Sequence, residues 1–473
     1  MGGTETSVGP FGIPVKAFGP ADLSHVEFEH ANRQILENSS PSSPPALQMS
    51  DVRKLVVLMI TAFIDMVGTL MIIPLLPFYA KSFGANGLVV GILVSSFSIA
   101  QLLSAPMWGR FSDRYGRRPA LVVGMMASAI AYAIFAYSDS LWLLFLSRLV
   151  QGSGGGTVSV IQAYVADAVE PSQRAKGLGW LSAATNAGVA LGPVLGSKML
   201  VFGHHGPGLA AAVLCVVNSL FALRYLVESR DMVEARSSVH RPGRSMEAVA
   251  RVITHSNEPA PRLIWIYAIG IGAFQGMNAI LALFLAARFG VTSNTIGYFY
   301  TYIGVIAVLT RAVVLGWAVD KFGEARLSRI GQTLLAIGLA AIPFIHRMED
   351  PAAFAARLGG ALPVSAVVAL PYLPLALAVA LLPLGTAFTF PCVTALLSRV
   401  IPNSERGLYM GVQQTFGGVA RVLFPIIAGF AFDRFQALPF LLSAGLVAGT
   451  ILLGLGMEDY TRPKHEPEAA PAA

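Results

Sequence analysis

Four ionisable side chains stand inside long apolar runs of this 473-residue chain: Asp65, Arg148, Arg311 and Arg421. A charge surrounded by hydrocarbon is costly, so such residues face a polar interior and are functional by default. Asp65 is the sole acid among them. Desolvation favours the neutral form of a carboxylic acid and a nearby arginine favours the charged form. That balance suits a group that alternately holds a proton and a cationic substrate. The structural alternative is an aspartate bonded to a hydroxyl such as Thr61 or Thr69. Arg148 has no accessible neutral form, so it modulates the acid, holds a water chain, or only neutralises the bundle. Asp65 and Arg148 are thus the expected proton-coupling pair. Arg311 and Arg421 have no acid of their own half to match them, which favours an anionic or zwitterionic substrate. The alternative is that each snorkels or binds backbone carbonyls.

Around these charges, Gln101, Gln151, Gln162, Asn186, Gln275, Asn278, Gln413 and Gln414 interrupt apolar runs. Lipid offers them no partner, so each faces the interior or a neighbouring helix. Gln151, Asn186, Gln275, Asn278 and Gln413, with Arg311 and Arg421, are the candidates for a substrate cavity. Phe97, Tyr164, Phe274, Phe388 and Phe390 would supply its apolar wall or serve in packing. No nucleophile–base pair, metal-ligand cluster or phosphate loop is present, so the reading is not an enzyme, with no cofactor and no metal. Cys215 and Cys392 read as small buried hydrophobes, with no disulfide framework.

The elements that must position these residues follow from composition. The chain is 55% hydrophobic and 12% charged, with mean hydropathy +0.64, where soluble proteins carry about 25% charged residues. Lipid must therefore be the solvent for much of it. Apolar runs long enough to cross hydrocarbon occur at about 55–79, 88–108, 120–138, 141–165, 177–202 and 207–227. Six more follow at about 263–287, 294–319, 327–345, 372–398, 407–432 and 437–456. Each must be helical, because unpaired backbone groups are too costly in lipid. Residues 1–54 read as a disordered cytoplasmic tail, 228–262 as a basic cytoplasmic linker and 457–473 as a cytoplasmic C-terminal tail. Residues 1–48 are polar, with no cleavable signal peptide. Met49 reads as a second, natural start, and Met1-Gly2…Thr6 fits the pattern for myristoylation.

Lysine and arginine set the orientation. If the first span starts inside, the cytoplasmic segments from Arg53 onward hold about 22 of them. The external loops hold Lys81, Lys198, Arg288, Arg347, Arg357 and Arg434. Both termini are then cytoplasmic. The net charge of +7 is spread over alternate loops, which is a topology signal and excludes a nucleic-acid partner.

The chain repeats itself. Gly109, Asp113, Arg114, Tyr115 and Gly116 recur as Gly316, Asp320, Lys321, Phe322 and Gly323, each shifted by 207 positions. Arg174, Gly179 and Pro193 recur as Arg406, Gly411 and Pro425, each shifted by 232. The difference predicts an insertion near His346–Pro371. Two six-helix halves joined by a basic linker predict a parallel-repeat architecture, with a site between the halves near the midplane.

The segment Gly109–Pro119, GRFSDRYGRRP, resembles the signature loop of the major facilitator superfamily, and GWAVDKFGEAR at 316–326 sits where that family repeats it. Its glycines let helices approach closely. Asp113, Arg114, Arg117 and Arg118 tie helix ends together as a gating loop, with Gly109, Gly116 and Asp320 part of the same device and Asp167 within reach. Arg148-Leu-Val-Gln151-Gly152 is similar to the family's buried-arginine motif. Gly179, Gly188, Gly192-Pro193 and Gly196 match the spacing of its drug/proton antiporters, with Ser197 in place of a last glycine. Small residues at these intervals let helices pack backbone to backbone.

Within that group the first half most resembles bacterial tetracycline/proton antiporters, including FIDMVGTLMIIPLLP around Asp65, Gly68, Pro74 and Pro77. Departures lie at Ala131 and Leu335, where those proteins carry acids, at Ala307, near a histidine, and at Arg311, a glutamine. The resemblance implies an all-α membrane protein with the major facilitator fold, twelve transmembrane helices in two pseudo-symmetric bundles, working as a monomer in the cell (inner) membrane. It implies a proton-coupled exporter of drugs or other small amphipathic compounds, tetracycline-like efflux included, with the proton gradient as energy source. Its partners would be a small-molecule substrate, protons and the lipid bilayer. The alternatives are an importer or exchanger of an organic anion or metabolite and, with no feature in its favour, a non-transporting receptor.

Overall fold

The computed structural model describes residues 49–169, 174–229, 244–346, 372–402 and 404–457. The predicted N-terminal tail up to residue 48, most of the predicted insertion, the arginine-rich start of the linker and the C-terminal tail lie outside these residues. The described residues are helical, without strands.

Nine continuous helical segments among them are long and apolar enough to cross a bilayer. Three features bring the spans to twelve. Gly323, at φ 73° and ψ 158°, breaks Leu315–Ala341 in two, so Ile296–Phe344 is spans 8 and 9. Leu141–Ser153 and Thr157–Ala168 are one span, the fourth, interrupted at Gly154–Gly156. Leu438–Leu453 is a shorter twelfth span. Span 1 combines Met49–Ile72 with Leu76–Ser82. Span 2 is Gly87–Tyr115, span 3 Arg117–Ala136, span 5 Arg174–Met199 and span 6 Gly206–Tyr225. Span 7 is Pro259–Phe289, span 10 Leu373–Val400 and span 11 Arg406–Arg434. The repeat seen in the sequence is a repeat of backbone. Gly116 takes φ 103° and ψ 163°, and Gly323 takes nearly the same conformation at the equivalent turn. Both lie in the positive-φ region that favours glycine.

Three details depart from the expected boundaries. Residues 49–54, expected in the disordered tail, open the first helix of span 1. The segment 228–262, expected as a basic linker, is helical in part. It contains the helix Arg244–Thr254, whose Ala248 and Val252 bury against spans 7 and 11. Span 8 carries a π-helical turn at Thr310–Val314, around Arg311.

Two ends can be told apart: the basic end, with the 109–119 loop, and the far end. At the far end one apolar core is continuous across both halves. Leu76, Tyr79 and Val90 join Met277, Phe284, Tyr300 and Phe440 in it. At the basic end two separate clusters are each built from second-half residues alone. The glycines agree. A Cβ on Gly87 would sit 2.8 Å from the Gly429 carbonyl oxygen, and one on Gly304 would sit 2.8 Å from the Ala190 Cα. At the basic end a Cβ on Gly109, Gly179, Gly316 or Gly411 would meet nothing within 4 Å. The two halves are closed at the far end and parted at the basic end.

Two caps from across the halves close the far end. Spans 2 and 8 both begin there with unsatisfied backbone N–H groups. The Gly87 and Leu88 N–H groups donate to the Asp433 carboxylate of span 11, at 2.7 and 2.8 Å. The Gly297 N–H of span 8 donates to Ser197 Oγ of span 5 at 3.1 Å, and that hydroxyl donates to Ser293 O at 2.9 Å. Ser197 is the residue that replaces the last glycine of the antiporter spacing, so that departure builds a latch. Asp433→Ala is expected to loosen the far end by on the order of 1 kcal/mol, since its charged hydrogen bonds are exposed. Spin labels on the far ends of spans 2 and 11 should then report a larger population of separated distances than in the wild type. An unchanged distance distribution would show that Asp433 does not hold this end.

Candidate functional site

Between the halves lies a cavity of about 460 Å³, lined from spans 1, 2, 4 and 5 of the first half and 7, 8, 10 and 11 of the second. Of the seven cavity candidates, Gln151, Asn186, Gln275, Asn278, Arg311 and Arg421 line it, joined by Arg148 and Gln101. Gln413 does not; it is buried between spans and donates to Thr394 Oγ1 at 3.3 Å. Phe97, Phe274 and Phe390 form part of the apolar wall. Tyr164 serves elsewhere, its hydroxyl donating to the Val227 carbonyl.

Asp65 is buried but does not line the cavity. Its Oδ2 accepts from Thr157 Oγ1 at 3.4 Å, at the helix start after the Gly154–Gly156 break of span 4. Neither hydroxyl named from the sequence is its partner. Thr61 donates to Val57 O at 2.9 Å and Thr69 bonds Tyr132. Asp65 and Arg148 form no ion pair. They share a neighbour instead, Tyr132 of span 3. Thr69, one helical turn beyond Asp65 on the same face of span 1, meets the Tyr132 hydroxyl at 3.0 Å. Gln151 Nε2 donates to that hydroxyl at 2.6 Å. A run of polar groups therefore leads from the cavity wall at Gln151, through Tyr132 and Thr69, toward the acid one turn below. Tyr132 was not singled out in the sequence, because a tyrosine among apolar residues carries no signal of its own; its value lies in facing Thr69 and Gln151 across two spans.

Arg311 donates from Nη1 to Asn186 Oδ1 at 3.1 Å, a contact between span 8 and span 5. The π-turn around it changes the side-chain register of span 8 locally, as such turns do at functional sites. Arg421 is half-buried on span 11. Asp320 is exposed on span 8, outside the cavity.

The antiporter glycines have a packing task that the structure makes explicit. A Cβ on Gly188 would come 2.7 Å from the Phe63 carbonyl oxygen, and one on Gly192 2.8 Å from that of Val67. A Cβ on Gly196 would run into the Met71 backbone. These glycines seat span 5 against span 1, the helix of Asp65, while Pro193 lines the cavity. Gly179 faces open space and takes no part in that contact.

At the basic end Arg117 is the hub. Its Nε donates to Asp167 Oδ2 at 2.8 Å and its Nη1 to Asp113 Oδ1 at 3.0 Å and Ser112 Oγ at 2.9 Å. It ties the ends of spans 2, 3 and 4 within the first half. Arg118 reaches the Leu223 carbonyl of span 6, and Arg114 lies over the Tyr115 ring at 5.5 Å. The sequence did not point to Glu228, whose carboxylate accepts the Arg117 and Arg118 N–H groups at 2.8 and 3.0 Å. It caps span 3 from the start of the linker. A Cβ on Gly116 would lie 2.5 Å from that carboxylate, the movable end of a long side chain, so it is the positive φ that favours glycine here.

The comparisons with known proteins agree with this architecture. Multidrug resistance protein 2 of Bacillus subtilis is 26% identical over 418 residues, covering 88% of this chain and 96% of that protein. Tetracycline resistance protein, class C, of Escherichia coli is 28% identical over 390 residues, covering 80% and 89%. The crystal structure of the human organic anion transporter MFSD10 (TETRAN) superposes with a TM-score of 0.61 at 23% identity, over 86% of this chain and 100% of that one. The family model of the Major Facilitator Superfamily matches residues 58–359 and 352–472, and this multi-pass membrane protein belongs to that family.

Proposed function

We propose that the chain is a proton-coupled exporter, an antiporter of small amphipathic compounds, working by alternating access. One observation carries the reading: a cavity between two pseudo-symmetric halves, shut at one end by cross-half caps and parted at the other, with the one buried acid of the described residues behind its wall. The similarity to a multidrug and a tetracycline resistance protein supports export of drug-like molecules. By the bias of lysine and arginine, the basic end is cytoplasmic, and the conformation described is then inward-facing. The protein acts as a monomer in the cell membrane, with both termini inside and the proton gradient as its energy source.

Placing Asp65 outside the cavity changes the expected coupling. Proton and substrate do not compete for one carboxylate. Substrate at Gln151 and Arg148 would act on the acid through Tyr132 and Thr69, and Asp65 would exchange its proton as the halves rock. The test is purified protein in liposomes, challenged with a panel of amphipathic compounds with and without an acidic interior. Accumulation above equilibrium that requires both the protein and the gradient supports the reading. Movement of no compound, or movement indifferent to the gradient, would sink it.

A second reading, transport of an organic anion, is favoured by the cavity's charge. Among the described residues, its charged lining is Arg148, Arg311 and Arg421, without an acid.

A further inference from the structure

The cavity wall contains a guanidinium two of whose three nitrogens find no partner among the described residues. Arg148 is 2% exposed, and its Nε and Nη2 have no hydrogen-bond partner. It makes no ion pair, and its closest aromatic face is Phe135, 5.9 Å from the ring centre. Arginine carries five N–H donors in a fixed fork, and burying such a charge unpaired is strongly unfavourable. Arg311 differs, since it already donates to Asn186. Arg148 is also the deeper of the two. Counted along the helices at 1.5 Å per residue, it lies about 10 Å from the far end, against roughly 22 Å for Arg311.

We infer that Arg148 seats the negative charge of the transported compound, an organic carboxylate or similar oxyanion whose apolar part lies against Phe97, Phe274 and Phe390. The inference rests on reading the cavity as the transport site. Nε and Nη2 are closed off from the cavity in this conformation, so the side chain turns toward the cavity to give a planar oxyanion two parallel N–H bonds, which adds geometry to charge. Gln151, three residues on along the same helix, lies beside the seat. Its amide oxygen is unsatisfied, and its Nε2 bonds Tyr132. With the amide turned over, its oxygen accepts the Tyr132 hydrogen and its NH2 faces the anion, while Thr69 donates to Tyr132. Occupation of Arg148 would thereby reset the same hydrogen bonds that lead toward Asp65.

The test compares two probes of one shape, 2-naphthoate and neutral 2-naphthamide, by calorimetric titration of the full chain in detergent without a gradient. The wild type is expected to bind the naphthoate roughly ten-fold or more tightly than the amide, as a desolvated charge-assisted pair gives. Arg148→Gln is expected to erase that preference. It is also expected to fold with an unchanged or raised melting temperature, since it leaves no acid unpaired. Arg148→Lys keeps the charge without the fork and is expected to retain the preference several-fold weakened. Should Arg148→Gln fail to fold, the Lys variant decides. Equal binding of the two probes by the wild type, or a full wild-type preference in either variant, would overturn the assignment. A chain that shows this preference but moves nothing under a pH gradient would sink the exporter reading and leave the anion seat standing.

Discussion

Asp65→Asn is expected to reduce proton-driven accumulation to the level of protein-free liposomes, while substrate exchange without a gradient continues. Asparagine has the shape of aspartate and still accepts from Thr157, so the contact between span 1 and the break in span 4 is kept. What is lost is the ability to hold and release a proton. Asp65 is the one acid in the apolar interior of the first half, so no other side chain there can take over. Because it does not line the cavity and acts on it only through Thr69 and Tyr132, the affinity for substrate should change by no more than that coupling, about five- to ten-fold, whereas competition at a shared carboxylate would move it far more. The measurement is radiolabelled uptake under an acid interior beside counterflow at equal pH. Gradient-driven accumulation at the wild-type rate would remove Asp65 from the coupling scheme.

Asp113→Asn is expected to slow turnover by about ten-fold or more, with equilibrium binding in detergent nearly unchanged, as a gating step would. Asp113 is far from the cavity lining and shares Arg117 with Asp167. Loss of one carboxylate leaves Arg117 with a single anionic partner and weakens the tie between spans 2 and 4. Arg117→Gln should be worse, because it removes the cation that Asp113 and Asp167 share. A large loss of affinity with normal turnover at saturation would show that the loop acts on the substrate and not on the gate.

Much of the fold was legible in the sequence because lipid leaves the backbone few choices. Runs of apolar residues had to be helices, and the echo of Gly109–Gly116 at Gly316–Gly323 predicted a repeat that the positive φ of Gly116 and Gly323 repeats in three dimensions. The interior position of Gln151, Asn186, Gln275, Asn278, Arg311 and Arg421 followed from the cost of polar groups in lipid. The same rule could not separate Gln413, which answers that cost by bonding Thr394, from residues that face the cavity. Nor could it tell which side of span 1 Asp65 takes, because helix rotation is set by neighbours, here Gly188, Gly192 and Gly196 of span 5. Asp433 and the capping role of Ser197 were invisible for a different reason. Each acts on a backbone N–H of the other half, and such partners leave no pattern in the sequence of the residue that caps them.

In an antiporter protons move opposite to substrate. A pH dye trapped inside proteoliposomes, with the membrane potential clamped by potassium and valinomycin, reads that movement. A transported compound of fixed charge, such as an aryl sulfonate, is added outside. Antiport requires protons to leave as the compound enters, so the interior is expected to become more alkaline in the wild type and to stay unchanged in Asp65→Asn. An interior that turns acid would mean symport, and no substrate-dependent change would mean transport without protons; either result would contradict the account.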